Sequence, residues 1–515
     1  MNGRAWRAIF PGLRACGLFL LAPLSFSLLI SPVVAGEFAF VAQSGQPSPD
    51  GNGNLVLLTV PALSDAGQVA FLSQLSGTNN ELDDNIALYR GTAAGLTVVA
   101  RKGVTQVDTN PFAGFVNNNP AINAAGTVSH SATLTSPTET VDFLGSGGPI
   151  TVLPRVGTAS PSGNNQLVSR SLPVINNAGV TAYRASYSGT NQEIGLYSRA
   201  ADGTLTTRLL QGVEAPHGGT IFSVASSLPT LNESAQIALT ASVDDGLFTQ
   251  KAALRLDGTT VVELARDGDS ATNASTTINS ILSNAVPLND SGQVAFTATY
   301  VQPTVSGPGV FRADASGATL IAPTTLPGSA TAAASIRLAA INNAGQVAFA
   351  ADFVGGGDPL SGIYLADTGA PTLVALEDTA VPGGGKFFRR FFGESISLNN
   401  AGQIAFVAEL SDTSNGPAAG RGLFLYGALS GLQQIIRTGQ SLSGATLTAL
   451  GFTGAASDVN RSPDPNFSGL NSGGQLAFNF SLSSGASGIA IWSDSIAQVL
   501  GDYNHNGIVD AADYS

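Results

Sequence analysis

The residues best suited to chemistry lie at the C-terminal end, where Asp and Asn recur at alternate positions within 501–515. Oxygen-bearing side chains at this spacing, with a glycine for the sharp bend and one backbone carbonyl, are typical of an EF-hand calcium loop. The predicted ligands are Asp502, Asn504, Asn506, the carbonyl of Ile508, Asp510 and Asp513. We therefore expect a calcium site here. The alternative is a flexible tail rich in Asn and Asp.

With Asp513 in place of Glu at loop position 12, the loop resembles the repeat of a type I dockerin, the module that ties secreted bacterial proteins to cohesin partners. A dockerin has two such loops, whereas one is present here and the sequence stops before the helix expected after Asp513. The resemblance implies a cohesin-like or cell-surface partner. The incomplete loop implies weak affinity for calcium and a chain that is truncated.

Histidine is scarce, which limits nucleophilic and zinc chemistry, because both need several such groups to meet in space. His130 takes the place of an aromatic residue in a repeated motif, so a core position is expected for it. His217 lies in a Pro-His-Gly-Gly turn and is expected to be exposed. His505 falls at a non-ligand position of the calcium loop. No catalytic residue is therefore assigned.

Paired carboxylates are more numerous and could act as acid and base on a glycan. Solvated loop positions are the simpler interpretation of each pair. The pairs are Asp83 with Asp84, Asp244 with Asp245, Asp267 with Asp269, and Glu377 with Asp378. The segment 386–392, Lys-Phe-Phe-Arg-Arg-Phe-Phe, predicts a strand with alternate burial; the alternative is an exposed patch that binds a sugar or a partner.

The elements that must position these side chains are set by a motif that recurs eight times, as in Leu-Asn-Asp-Ser-Gly-Gln-Val-Ala-Phe at 288–296. Its turn residue falls at 67, 126, 179, 235, 292, 345, 402 and 474. Asn, Asp and Gly favour a tight turn, and the alternation after it predicts a strand. Ala235 replaces the turn glycine in the fourth copy, which predicts either strain of about 1 kcal/mol or another turn type. The small alanines of the motif indicate sheets that are covered on both sides.

Each motif is followed by two further apolar blocks, and a looser block precedes the next motif. Four short strands per unit of about 55 residues are typical of a β-propeller blade. We therefore predict an all-β propeller of about eight four-stranded blades over residues 36–500, with Phe38–Ala42 completing the last blade. The alternatives are an open β-solenoid or two smaller propellers, divided near 458–467.

The pattern Asn-x-x-Gly-x-x-Ala-Phe at 289–296, 342–349, 399–406 and 471–478 resembles the tandem repeat of bacterial choice-of-anchor proteins that contain NxxGxxAF repeats. The resemblance covers about residues 38–500. The copies at 123–130 and 176–183 depart from the pattern. The resemblance implies export and an interchangeable C-terminal attachment signal, and it implies no known enzymatic activity.

Residues 1–35 carry three arginines and no acid, then an apolar run and a small-residue cleavage site, which predicts a signal peptide. An uncleaved transmembrane anchor is the alternative. Without this segment the chain has no cysteine and 19 basic against 35 acidic residues, a net charge of −16. That charge excludes nucleic acid as a natural partner.

We therefore expect an exported, non-enzymatic repeat scaffold, secreted or held at the cell surface by its C-terminal module, with loops that bind a protein or an extracellular glycan. After cleavage of the leader no membrane span is expected. The alternative function is a propeller hydrolase or lyase that acts on glycans through paired loop carboxylates.

Overall fold

The computed structural model describes residues 36–116, 120–189, 192–224, 229–273, 275–283, 285–354, 361–392, 395–454 and 467–494. Within these ranges the chain forms β-strands and no α-helix, as the motif pattern predicts. The described residues contain no helix long and apolar enough to span a membrane. The predicted signal peptide at 1–35 and the predicted calcium loop at 501–515 lie outside the described residues.

The strands form eight antiparallel sheets, one per copy of the motif, which are the blades of a β-propeller. Blade 1 has β2 (Asn54–Leu58), β3 (Ala62–Leu63), β4 (Val69–Ser76), β5 (Ile86–Thr92) and β6 (Gly95–Arg101). Blade 2 has β7 (Gln106–Val107), β8 (Asn110–Phe115), β9 (Ala121–Ile122), β10 (Val128–Leu134), β11 (Thr140–Gly145) and β12 (Thr151–Val152). Blade 3 has β13 (Asn165–Arg170), β14 (Val174–Ile175), β15 (Thr181–Gly189), β16 (Glu193–Arg199) and β17 (Leu205–Leu210). Blade 4 has β18 (Thr220–Ser223), β19 (Thr230–Leu231), β20 (Ile237–Asp244), β21 (Thr249–Asp257) and β22 (Thr260–Arg266).

The second half of the chain repeats this plan. Blade 5 has β23 (Thr277–Ile281), β24 (Val294–Val301), β25 (Ser306–Asp314) and β26 (Gly317–Ala322). Blade 6 has β27 (Ala333–Ile341), β28 (Val347–Phe353), β29 (Ser361–Ala366) and β30 (Thr372–Leu376). Blade 7 has β31 (Phe387–Phe391), β32 (Ser397–Leu398), β33 (Ile404–Ser411), β34 (Ala418–Gly427) and β35 (Gly431–Arg437). Blade 8 has β36 (Ser441–Leu442), β37 (Ala445–Gly451), β38 (Leu476–Leu482), β39 (Ser487–Ser493) and β1 (Glu37–Gln43).

In each blade the block that precedes the motif forms the inner strand, the motif itself forms the next strand (the motif strand), and the two later blocks form the third and outer strands. A short two-residue strand before the turn continues the inner strand in most blades, as β3 does beside β4. Hairpin connections of this kind follow from the short turn sequences between the blocks.

The N-terminal strand closes the ring. β1 pairs with β39 as the outer strand of blade 8, with Phe38 opposite Trp492, which confirms the predicted completion of the last blade. The backbone N–H of Leu63 in blade 1 also donates to the Ser468 carbonyl, 2.8 Å away. Closure of the ring leaves only the short edges of the blades unpaired. The open solenoid and the two smaller propellers are therefore ruled out, and blade 8 keeps its sheet across the long interval before its motif.

The apolar core lies between successive blades. The Val and Phe of each motif face the preceding blade, while the motif alanines face the following one, as in the clusters that join Phe296 to blade 4 and Ala295 to blade 6. The predicted two-sided cover is confirmed, since Val294, Ala295 and Phe296 are all fully buried. The motif Phe stacks on an aromatic residue of the third strand, 5.4 Å away between the ring centroids of Phe296 and Phe311.

Ala235 keeps the turn type of the other copies in spite of its side chain. Its φ is +57°, and its N–H donates to the Asn232 carbonyl as the turn glycines do in their own copies. The first of the two predicted outcomes, a strained turn, is therefore the one observed. The preceding blade has Val180 at the position after its turn glycine, where six of the other blades have a Gln that crowds the next turn. The chain therefore departs from the repeat both at Val180 and at Ala235.

Candidate functional site at the central cavity

The first polar residue of each motif binds two successive blades together. The Asn342 Oδ1 accepts the N–H of Gln346 in its own turn at 2.9 Å, and its Nδ2 donates to the Asn399 carbonyl of the next blade at 3.1 Å. The same bridge runs from Asn123, Asn176, Asn232, Asn289, Asn399 and Asn471, each to the blade that follows it. All of these side chains are buried. We call this set, completed by Ser64, the Asn ring.

The second residue of each motif forms another ring, which is more exposed. We call this set the mouth ring: Asp65, Ala124, Asn177, Glu233, Asp290, Asn343, Asn400 and Ser472. Six of its backbone N–H groups donate to the side chain one blade further on, as the Glu233 N–H does to Asp290 Oδ1 at 2.9 Å. Each of the six accepting side chains thus uses one oxygen to bind the preceding blade.

The mouth ring surrounds a central cavity of about 200 Å³. Seven blades contribute to its wall, with leucine and isoleucine side chains such as Leu63, Leu231 and Ile341 below the polar ring. Three carboxylates, Asp65, Glu233 and Asp290, line it, and its wall contains no Lys or Arg. The cavity is therefore electronegative.

The titration of Glu233 reflects this setting. Partial burial raises the pKa of Glu233, repulsion from Asp290 and Asp65 adds to that increase, and the Asn177 N–H bond opposes it. Proximity of like charges has this effect because each ionised carboxylate disfavours the next ionisation. Among the described residues, no three His, Cys, Asp or Glu side chains lie close enough together to hold a metal ion.

The carboxylate pairs that the sequence suggested for glycan chemistry lie on separate loops, and none of them lines the central cavity. Asp84 accepts a bond from Asn52 Nδ2, and Asp267 accepts the N–H groups of Lys251 and Ile281. Asp378 caps the turn at Asn415. The simpler interpretation, solvated loop acids, fits Asp244 and Asp245, which are exposed, but it is wrong for Asp84, which is buried and hydrogen-bonded.

Two of the histidines have the surroundings expected of them. His130 is buried beside Phe115 and Phe143 in the core between blades 1 and 2. His217 is largely exposed, with Nδ1 at 3.3 Å from Glu263 Oε1. The third, His505, lies outside the described residues together with the predicted calcium ligands Asp502, Asn504, Asn506, Ile508, Asp510 and Asp513.

The aromatic and basic segment forms the inner strand β31, as predicted. Phe388 and Phe391 are buried between blades 6 and 7, and Arg390 is exposed. Arg390 and Arg421 both lie over the ring of Phe392, at 5.5 and 4.9 Å from its centroid. Burial in a strand therefore accounts for most of this segment.

The mouth ring was not found in the sequence. Its members follow the conspicuous Asn directly, but their types vary from Ala to Glu, so only their repeated position after that Asn marks them. Comparison of the second position across all eight copies, without regard to residue type, could have found them. The sequence also gave no sign that the Asn side chain reaches the next blade.

The fold and the central cavity define the chain as a β-propeller with one repeat per blade. A family model matches residues 29–256 and again residues 226–497, so that each match spans about four blades. The chain therefore belongs to DUF7453, a family of unknown function. No curated protein matches it in sequence.

Solved structures match this chain at low similarity. A puromycin hydrolase mutant in complex with PGG is 12% identical with a TM-score of 0.38, and the match covers 84% of this chain and 59% of that one. The α-L-arabinofuranosidase Arb93A from Fusarium graminearum is 9% identical with a TM-score of 0.25 over 66% of this chain and 97% of that one. The polysaccharide lyase Uly1 is 7% identical with a TM-score of 0.30 over 76% and 94%. None of these values carries a function to this chain.

Proposed function

We propose that this protein is an exported, non-enzymatic repeat scaffold whose central cavity binds a positively charged group of a partner protein. One observation carries the proposal: the cavity is lined by three carboxylates and several amides from separate blades, with no basic side chain. A cation entering it gains attraction that bulk water would screen. The volume of about 200 Å³ suits the end of one side chain, such as a lysine.

The proposal is tested with a lysine analogue, Nα-acetyl-lysine methylamide, and its Nε-acetylated form as a neutral match. Ligand-observed NMR at low salt should show binding of the charged analogue and little binding of the neutral one. Asp65→Asn keeps the oxygen that accepts the Ser472 N–H but removes a charge, so it should weaken binding about three- to tenfold. Asp202→Asn, in an exposed turn of blade 3, is the matched control and should change nothing. Equal binding of the two analogues would contradict the proposal.

The attachment of this scaffold is proposed from the sequence resemblances. The C-terminal loop at 501–515 would bind calcium and dock to a cohesin-like or cell-surface protein, and the leader at 1–35 would direct export. Calorimetry on a chain extended by a helix after Asp513 should show calcium binding that Asp502→Ala and Asp513→Ala remove. His505→Ala, at a non-ligand position of the same loop, should leave it intact. A glycan array probed with the chain from residue 36 onward tests whether the loops bind an extracellular glycan.

A second candidate, glycan hydrolysis, is favoured by one observation at the same cavity. Glu233, whose pKa is raised by burial, lies beside Asp290 of the next motif, and its backbone N–H donates to Asp290 Oδ1. An acid and a base in such a pair are what glycoside hydrolysis requires. Release of reducing sugar from a polysaccharide panel that Glu233→Gln abolishes would establish this activity. Absence of any release in the wild type would remove it.

A further inference from the structure

The interface between blades 2 and 3 is built differently from the other interfaces. At the third-strand position opposite Ser131, blade 2 has Asp142, where the other seven blades have Leu88, Leu196, Ala253, Val310, Ile363, Leu423 and Ile489. All seven of those apolar residues are fully buried. Asp142 is buried as well, at 3% exposure. A carboxylate thus occupies a core position.

A second charge faces it from blade 3. Arg170 ends the inner strand β13 opposite Ala185, where the corresponding position in six other blades holds Leu58, Phe115, Ile281, Ile336, Phe391 and Leu450. Its Nη1 lies 2.7 Å from Asp142 Oδ2, and Ser131 Oγ donates to the other carboxylate oxygen. Two apolar positions on facing walls have therefore become an ion pair.

The surroundings of this pair are also polar. Tyr183, Tyr187 and Tyr197 are fully buried in blade 3, and the Tyr183 and Tyr187 hydroxyl groups interact with each other. Burial raises the pKa of all three hydroxyls. By contrast, the Tyr89 hydroxyl in blade 1 lies 2.9 Å from Ser48 Oγ, and the Tyr364 hydroxyl in blade 6 donates to the Pro327 carbonyl at 3.0 Å.

Apolar packing across this interface is correspondingly small. The described cluster that joins the two blades contains Ala121, Leu144, Leu153, Ile175 and Phe467, while Leu167 and the three tyrosines form a cluster within blade 3. A buried ion pair commonly stabilises a protein less than apolar residues of similar size. Departures of this kind from a repeated packing rule are expected at functional positions.

A crevice opens at the same place. It has a volume of about 690 Å³, within the range of small-molecule sites, and Asp142 and Arg170 form part of its wall. Its other wall residues are apolar, such as Val168 and Leu172, or carry hydroxyl groups, such as Thr138 and Ser169. Glu139 at its edge is paired with Arg155, at 2.6 Å between Oε2 and Nη2. Asp142 and Arg170 thus neutralise each other, while Arg155 is shared between Glu139 and Asp108.

We propose that the crevice between blades 2 and 3 binds a neutral polyhydroxylated molecule, such as a sugar, with Asp142 and Arg170 holding its hydroxyl groups. A hydroxyl group both donates and accepts, so a carboxylate beside a guanidinium can bind two of them at once with charge-assisted bonds. The apolar wall at Val168, which is half exposed, offers a surface to the C–H face of a sugar ring. A balanced pair selects neither anions nor cations.

The proposal is tested by ligand-observed NMR titration with glucose, galactose, mannose, maltose, cellobiose and lactose. At least one of these sugars should bind with a Kd on the order of 1 mM or tighter. Asp142→Leu with Arg170→Leu copies the apolar pair Leu423 and Leu450 between blades 7 and 8, so the fold should persist while affinity falls at least about tenfold.

A second variant tests the site without touching the ion pair. Val168→Trp fills the crevice from its exposed wall and should also lower affinity about tenfold. Val301→Trp in blade 5 is the matched control, because Val301 is 48% exposed and Val168 is 50% exposed, and it should leave affinity unchanged. Absence of binding by all six sugars, or binding that survives both crevice variants, would overturn the proposal. This site is separate from the central cavity. A failure of the sugar titrations would therefore leave the lysine analogue tests unaffected, and the reverse also holds.

Discussion

The Asn471 side chain donates a hydrogen bond of 3.2 Å to the backbone carbonyl of Ser64, a residue 407 positions earlier in the chain. Six other asparagines of the motif make the same bond to the following blade. The contact from Asn471 therefore closes a ring of equivalent bonds. One residue type at one position of the repeat both shapes its own turn and joins two blades.

Replacement of a ring asparagine is expected to destabilise the protein. Asn342→Ala removes its bonds to the Gln346 N–H and the Asn399 carbonyl and leaves buried polar groups unpaired, at a cost of about 1–3 kcal/mol. Asn343→Ala, one position later and exposed, should cost less than about 1 kcal/mol. Urea denaturation followed by tryptophan fluorescence and circular dichroism measures both. Equal denaturation midpoints for the two variants would show that the Asn ring contributes no more to stability than the exposed neighbouring position.

The turn glycines are expected to resist substitution more than Ala235 does. A Cβ at Gly345 would lie 2.6 Å from Arg312 Nη1 and 2.9 Å from Gln293 Oε1, in a backbone with φ of +80°. Gly345→Ala should therefore destabilise the fold by more than about 1 kcal/mol. Ala235→Gly should instead stabilise it slightly, by up to about 1 kcal/mol, because it removes the strain at φ of +57°. Thermal unfolding measures both changes in stability, which should have opposite signs. A gain in stability in the Gly345 variant would contradict this account.

The pH dependence of stability should carry a contribution from Glu233. Because its pKa is raised in the folded state, its stabilising effect is complete below the ordinary glutamate pKa of about 4.3 and is lost as pH rises through the folded pKa. Glu233→Gln stays neutral, so it should become more stable than the wild type as pH increases toward 7. Solvent screening limits this gain to less than about 1 kcal/mol. Denaturation midpoints at pH 4, 5.5 and 7 test the trend; a variant that loses stability relative to the wild type over this range would contradict it.

The N-terminal strand should be needed for closure. Phe38 and Phe40 of β1 pack edge-on against Phe478 and Phe480, with centroid separations of 6.0 and 5.7 Å. Phe38→Ser with Phe40→Ser should loosen β1 and expose β39 as a free edge, which favours association between chains. Light scattering after size-exclusion chromatography should then detect oligomers. Glu37→Ser with Gln43→Ser, at exposed positions of the same strand, is the matched control and should remain unchanged.

Much of the fold could be predicted because the repeat is regular. Gly at a turn, alternation in the motif strand and equal spacing are local properties that hold in each copy, so eight blades and their strands follow from them. The role of Phe38–Ala42 also followed, because one blade lacked an outer strand. The acid pairs did not mark the central cavity, because acids that are adjacent in the sequence bond to separate nearby loops.

The central cavity and the crevice depended on distances that the sequence does not contain. Glu233 and Asp290 are 57 residues apart but become neighbours because the repeat length brings equivalent positions together around the axis. Asp142 and Arg170 belong to different blades, and either alone would look like an ordinary surface charge. Their pairing becomes apparent when each is compared with its equivalents in the other blades.

The sequence by itself determined the repeating unit and its strands, because those are governed by backbone turns and by side-chain alternation within a few residues. Closure of the ring was one of several architectures that the sequence left open. Tertiary structure alone decided which side chains share a cavity, because that depends on how blades are set against each other. The physical reason is range: turn preferences act between near neighbours in the chain, whereas pKa shifts, ion pairs and cavities depend on distance in space.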